Sequence, residues 1–344
     1  SSIRAARRLV DPDQAEPARP VAPAAPPVAG SRATPPRLSS TTFAPSVLLQ
    51  AIGVVANLLV ILVIARIAGP AVQGQFAQMR SWVDLLNGLI AFGLPQAVVL
   101  AINHDGAEPR RLAHALTVYL AAMLPLAIGA TVLATASGVI DVPTTASTLW
   151  LLLGASAVLA AFCNLWRGLY MASRTDWRFG VISALPGITL LATTGAALQW
   201  LGGSTAQSIG SGGTPAADSL AWAVFGAALL AAVAVTLLAD REVRSRNAAR
   251  RGPIRWGRMV RVGAQSVVQT LTILLFPLAL YALARHQGAA PVDLGFVSTF
   301  VYVYLALVAP AELVAPNLFS RWSRQPAADA LDIVLHSERP GSVG

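Results

Sequence analysis

Two charges four residues apart, Arg80 and Asp84, stand inside an otherwise apolar stretch, and Arg66 precedes them in the segment Ala65 to Val99. Charges at membrane depth are costly and usually serve a purpose there. The planar donor fork of arginine matches phosphate oxygens, so Arg66 and Arg80 are candidate substrate-binding residues lining the outward mouth of a cationic cavity. The plainer alternative has them snorkelling to the interface or holding a turn. Asp84 shares a helix face with Arg80, which makes it either a neutralising partner or an ion-coupling carboxylate that changes protonation during a cycle. Glu312, in a later apolar run, is the second ion-coupling candidate, or a partner for another helix.

Amides supply a second kind of chemistry. Asn57, Gln265 and Gln269 are candidate substrate-binding residues for uncharged polar groups, with Asn87 and Gln96 beside them. Gln265 and Gln269 are four apart and share a helix face. Such residues also tie helices together at about 1 kcal/mol each. Arg258 and Arg261 stand where they can catch phosphate at a cytoplasmic entrance, although retention of positive charge on that side explains them equally. No catalytic residues, metal ligands or cofactors are expected: the four histidines, His104, His114, His286 and His336, are scattered, Cys163 is alone, and no phosphate-binding loop or nucleophile elbow occurs. Any energy source is then an ion gradient or the substrate gradient.

The elements that must hold these residues are apolar helices. Of 344 residues 55% are hydrophobic and 12% charged, with mean hydropathy +0.61. Soluble domains carry about 25% charge. The runs do not alternate with period two, so the expected fold is an all-α polytopic membrane protein rather than a barrel. Eight spans are predicted, from about Pro45 to Ile67, Ser81 to Ile102, Leu112 to Ala134, Ser147 to Tyr170, Gly180 to Leu201, Leu220 to Ala239, Val262 to Ala284 and Leu294 to Phe319.

All 25 basic residues are arginine and the net charge is +9. The arginines cluster in alternate loops, at Arg110 and Arg111, at Arg167, Arg174 and Arg178, and across Arg241 to Arg261, which places both termini in the cytoplasm. The charge is thus a topology signal and gives no reason to expect nucleic acid, whereas anionic membrane lipids suit the basic linker. Arg66, Arg80 and Arg285 fall on the outer side and need separate reasons.

The expected organisation is a disordered Pro/Ala/Arg-rich cytoplasmic tail (1–42), a six-helix N-terminal lobe (43–240), a basic linker (241–261), the first two helices of a C-terminal lobe (262–324) and a polar tail (325–344). A partial repeat motivates the two lobes. Ala65-Arg66, Gly69-Pro70 and Gly74 match Ala284-Arg285, Gly288, Pro291 and Gly295, and each late glycine lies 21 residues before a proline, Pro95 or Pro316. The second copy is two residues longer before that glycine. Duplication of this kind is common in transporters. A full second copy needs six spans where two are present, so either the chain is a C-terminally truncated piece of a longer transporter, or its second lobe is reduced, or the repeat is coincidence; the first is the expectation.

The segment ARIAGPAVQGQFAQ followed by GLPQAVV resembles the opening of the polysaccharide and oligosaccharide flippases, O-antigen-flippase-like members of the multidrug/oligosaccharidyl-lipid/polysaccharide export superfamily; Leu294-Gly295-Phe296 to Ser320-Arg321 is similar to that family's eighth span. The resemblance implies a transporter in the bacterial inner membrane, not an enzyme. Its substrate would be a lipid-linked glycan of the undecaprenyl-diphosphate type, with envelope glycan-assembly proteins as candidate partners. Two alternatives stand beside it. One is a membrane polymerase or ligase of envelope glycan assembly, disfavoured by short external loops. The other is a drug or ion exporter of the same superfamily, for which an acidic cavity lining would be expected.

Overall fold

The computed structural model describes residues 40–140, 148–173, 177–204, 214–245 and 252–323. Among them run nine α-helices and no strand: α1 (Ser40–Ala68), α2 (Pro70–Ala91), α3 (Leu94–Asn103), α4 (Pro109–Ala136), α5 (Thr148–Ser173), α6 (Trp177–Ser204), α7 (Thr214–Ser245), α8 (Trp256–His286) and α9 (Pro291–Trp322). Seven helical segments are long and apolar enough to cross a bilayer, with α2 and α3 together forming one of them, Pro70–Asn103. This is the architecture of a multi-pass membrane protein. α9 is a further 32-residue helix, of which Val292–Val308 is an apolar stretch among the described residues. Ser40 to Thr42, expected in the disordered tail, belong to α1, while residues 1–39, the polar tail after 323 and the centre of the loop after α6 lie outside the described residues. So do the side chains of Gln269 and Glu312.

The second span differs from its expected start at Ser81, because α2 begins eleven residues earlier at Pro70. One residue, Gly69 at φ 86°, turns the chain from α1 into α2, and Pro70 then occupies the first helical turn, where a missing N–H costs nothing. The Gln- and Gly-containing stretch left outside the predicted spans is helical, and two of its glutamines are held by residues of later helices. Gln73 Nε2 donates to Thr299 Oγ1 at 3.0 Å, and Arg285 Nη2 donates to Gln78 Oε1 at 2.6 Å. Arg285 Nη1 also reaches the Gly138 carbonyl at 3.2 Å, so this outlying arginine has a structural reason for its place.

The same span is broken once. Phe92 (φ 43°) and Gly93 (φ 61°) are both left-handed, and Pro95 sits in the first turn of the new helix α3. The break fits against α8: a side chain at Gly93 would come within 2.5 Å of the Gly263 carbonyl oxygen. α9 continues unbroken through position 316, where the repeat places its matching proline.

α2 and α3 are the centre of the bundle. Two thirds of their most apolar window is buried, against 22% for α4. Val72, Phe76, Met79 and Val83 are fully enclosed, and α2 packs against α1, α5, α8 and α9. Elsewhere backbones approach through small residues, as between Gly53 on α1 and Ala184 on α6, the usual device for packing helices where lipid removes the hydrophobic drive. The repeat also has a spatial counterpart. Gly74 and Gly295 stand four residues after the prolines that open α2 and α9, and they pack on each other; a Cβ on Gly74 would lie 2.9 Å from the Gly295 nitrogen. The two extra residues of the second copy, Ala289 and Ala290, fall between Gly288 and the start of α9.

Opposite the Gly74–Gly295 end, α8 and the loop before it are tied to the loop after α3. Arg258 Nη1 lies 2.7 Å from Asp105 Oδ1, Arg255 lies 3.9 Å from the same oxygen, and the Gly252 amide donates to the Gly106 carbonyl at 3.0 Å. Asn103 Nδ2 donates to Ser323 Oγ at 3.0 Å, joining α3 to the end of α9. Trp256, assigned from the sequence to the linker, is the first residue of α8.

Candidate functional site

Arg80, Asp84 and Asn87 share one side of α2, and that side looks into two adjoining cavities. The first, about 260 Å³, lies between α1, α2, α6, α8 and α9. Its wall is mostly apolar (Val54, Leu58, Phe76, Ile273, Leu274 and Leu305 among others), with Arg80, Ser81, Asp84, Asn57 and Tyr302 as the polar members. The second, about 270 Å³, lies between α1, α2, α5, α6 and α7 and also touches Leu313 of α9. It is lined by the amides Gln50, Asn57, Asn87 and Asn164, by Ser183, and by Arg80 and Arg167. Val54, Asn57 and Arg80 belong to both, so Arg80 stands at the shared wall.

Helical spacing fixes the first contact: Arg80 Nε lies 3.0 Å from Asp84 Oδ2, one turn along α2. Both side chains are about a quarter to a third exposed, 22% and 32%, within reach of the cavity rather than sealed in the core. The second contact crosses helices. Asn164 Nδ2 of α5 donates to Asn87 Oδ1 of α2 at 3.0 Å. Trp82, between Arg80 and Asp84 in sequence, points the other way and donates to Thr131 of α4 at 3.1 Å, which holds the face of α2 in rotation.

Charge is distributed unevenly. The first cavity holds one arginine and one carboxylate, whereas the described lining of the second holds two arginines and no carboxylate. A positive, amide-lined space inside apolar helices can replace part of the hydration that an anion and a hydroxyl-rich group lose on leaving water. Cys163 and Ser183 line the second cavity with no histidine or carboxylate beside them among its described lining residues, and the described residues hold no cluster of three or more metal-ligating side chains.

Of the residues chosen from the sequence, Arg80, Asp84 and Asn57 come together here. Arg66 lies in the last turn of α1 and is exposed, and Gln265 of α8 is exposed too; neither lines either of these two cavities. Sequence reasoning missed Gln50, Asn164, Tyr302 and Ser183 as lining residues, and it put Arg167 in a loop. Arg167 is half-buried in α5, six residues before the helix ends. The signal was present: Asn164 and Arg167 are three apart and share a helix face inside an apolar run.

Comparison of the chain with protein-family models, with curated proteins and with solved structures found no match.

Proposed function

We propose that this protein is a membrane transporter that moves a lipid-linked oligosaccharide or polysaccharide precursor to the outer leaflet by alternating access. The observation that carries the reading is the second cavity: two arginines and four amides enclosed among helices apolar enough to span a bilayer. A diphosphate needs the arginines, a sugar needs the amides, and a polyprenyl tail needs neither and stays in lipid.

In this reading α1 to α7 are a six-span lobe, with α2 and α3 as one span, and α8 and α9 are the start of a second lobe. The first cavity lies between the two sets. Contacts at its ends are the parts that alternate: Gly74–Gly295 with Gln73–Thr299 and Gln78–Arg285 on the outer side, Asp105 with Arg255 and Arg258 on the cytoplasmic side. Asp84 couples transport to an ion because it faces the first cavity and holds Arg80; an anionic ligand on Arg80 competes with it.

The test is translocation in sealed proteoliposomes. A polyprenyl-diphosphate oligosaccharide with a fluorescent terminal sugar is loaded, and the outer fluorophore is quenched at intervals. The wild-type protein should move the lipid across faster than protein-free vesicles, and Arg80→Gln should reduce the initial rate by at least about tenfold, the loss of one charge-assisted contact. Equal rates with and without protein would defeat the proposal.

A further inference from the structure

The loop after α3 is strapped to the start of α8 through one carboxylate. Asp105 is almost closed over, its side chain 4% exposed, and its Oδ1 takes Arg258 at 2.7 Å and Arg255 at 3.9 Å. The Arg258 and Arg255 side chains remain 48% and 64% exposed, so each guanidinium keeps donor positions turned away from Asp105. The neighbouring carboxylate, Glu108, is engaged by Arg111 at 2.9 Å, while Arg110 and Arg261 are exposed. Among the described residues of this loop and of the starts of α4 and α8, arginine therefore outnumbers carboxylate. Apolar groups stand between the arginines. Trp256, the first residue of α8, is 45% exposed, and Val260, one turn on, is 51% exposed. α8 is long and apolar enough to span a bilayer, and in such a helix a tryptophan at the first residue belongs at headgroup level, with Val260 on the acyl side of it.

We propose that the start of α8 docks on an anionic phospholipid surface, whose headgroups compete with Asp105 for Arg255 and Arg258 and so favour an open strap. The layering of the patch selects the partner. Cationic groups beside an interfacial tryptophan, with an exposed apolar residue one turn deeper, match a phosphate layer over acyl chains; a soluble acidic protein has no use for Val260 at that depth. Opening also satisfies both sides of the contact. Asp105 gains water as the loop parts from α8, and the arginines gain phosphate, so the carboxylate is not left buried without a partner. On a zwitterionic surface the arginines gain less and the strap stays closed. The proposal rests on the transport reading only for what opening does, since it gives the charge of the leaflet control over a contact assigned above to alternate. The lipid contact itself stands on the strap.

The experiment is a spin–spin distance measurement on the full chain in nanodiscs. Cys163→Ser removes the native thiol, and the labels go on His104→Cys and Gly257→Cys; position 104 is exposed, and a Cβ at 257 meets nothing within 4 Å. Phosphatidylcholine discs should hold mainly the short distance. Phosphatidylglycerol at about 30 mol% should raise the ratio of long to short distances by at least about fivefold, the worth of one arginine near an anionic surface. Asp105→Asn should give the long distance in phosphatidylcholine alone. Arg255→Gln with Arg261→Gln leaves the Asp105–Arg258 pair in place and should cut the phosphatidylglycerol effect to below about twofold. Thermal unfolding shows whether each variant is folded, and the lipid response of the labelled parent decides the matter where a variant is not. An unchanged ratio in phosphatidylglycerol, a shift to the shorter distance, or a full response in the folded double variant overturns the proposal. Inorganic phosphate should leave the ratio in phosphatidylcholine unchanged; an equal effect of phosphate would make this a site for free anions and overturn the membrane docking. A lipid response without glycan-lipid translocation would leave the strap standing and defeat the transport reading alone.

Discussion

At the scale of single residues the account turns on how Arg80 is held. Its carboxylate partner is one turn away and partly exposed, so the pair is a modest interaction that a stronger anion can displace. Asp84→Asn should therefore tighten binding of farnesyl diphosphate, a short polyprenyl diphosphate, by about three- to tenfold in calorimetric titration, equivalent to ~0.7–1.4 kcal/mol. The same variant should abolish transport driven by an ion gradient while downhill movement persists, and ion-gradient jumps on proteoliposomes read the two apart. Asn164→Leu removes the bond to Asn87 and leaves that amide with one partner fewer; the expected cost is about 1 kcal/mol, seen as a lowered unfolding midpoint in detergent. The Arg80–Asp84 pair was legible in the sequence because helical periodicity alone brings positions four apart together. The Asn87–Asn164 bond was not, since 77 positions separate its partners and only the packing of α5 on α2 joins them.

Helices and their breaks make a second set of demands. Gly93 is left-handed and faces the Gly263 carbonyl, so Gly93→Ala meets both strain and a clash and should destabilise the protein by about 1–3 kcal/mol. Gly129, inside α4 with open space where a Cβ would stand, is the matched control: Gly129→Ala should be neutral or stabilising by up to about 1 kcal/mol. The α2–α9 contact is proposed to open during transport. In a Cys163→Ser background, Gln73→Cys with Thr299→Cys should be cross-linked by a short bifunctional maleimide, stopping translocation while leaving farnesyl diphosphate bound; transport that continues after complete cross-linking would show that this contact is static. Glycine and proline spacing marked the matching turns that open α2 and α9, Gly69-Pro70 and Gly288 with Pro291, but not the later prolines, since α9 runs unbroken through the position matching Pro95. The early start of α2 was hidden for a physical reason: its polar first turns are stabilised by Thr299 and Arg285, more than 200 positions downstream.

For the whole molecule, composition was sufficient to foretell an all-helical bundle with membrane-length segments, since apolar runs of that length have few other ways to satisfy their backbone. The cavities were not foreseeable in the same way. They arise where α1, α2, α5 and α6 bring isolated amides and arginines to one space, and no single helix encodes that meeting. The central claim is that this space carries an anionic head across a bilayer. The most direct measurement compares, in one preparation of proteoliposomes, initial translocation of a fluorescent polyprenyl-diphosphate sugar and of the same sugar on a polyprenyl amine. The account predicts that the diphosphate form crosses at least about tenfold faster and that Arg80→Gln erases the difference. Equal rates for the two head charges, or faster movement of the amine, would contradict it.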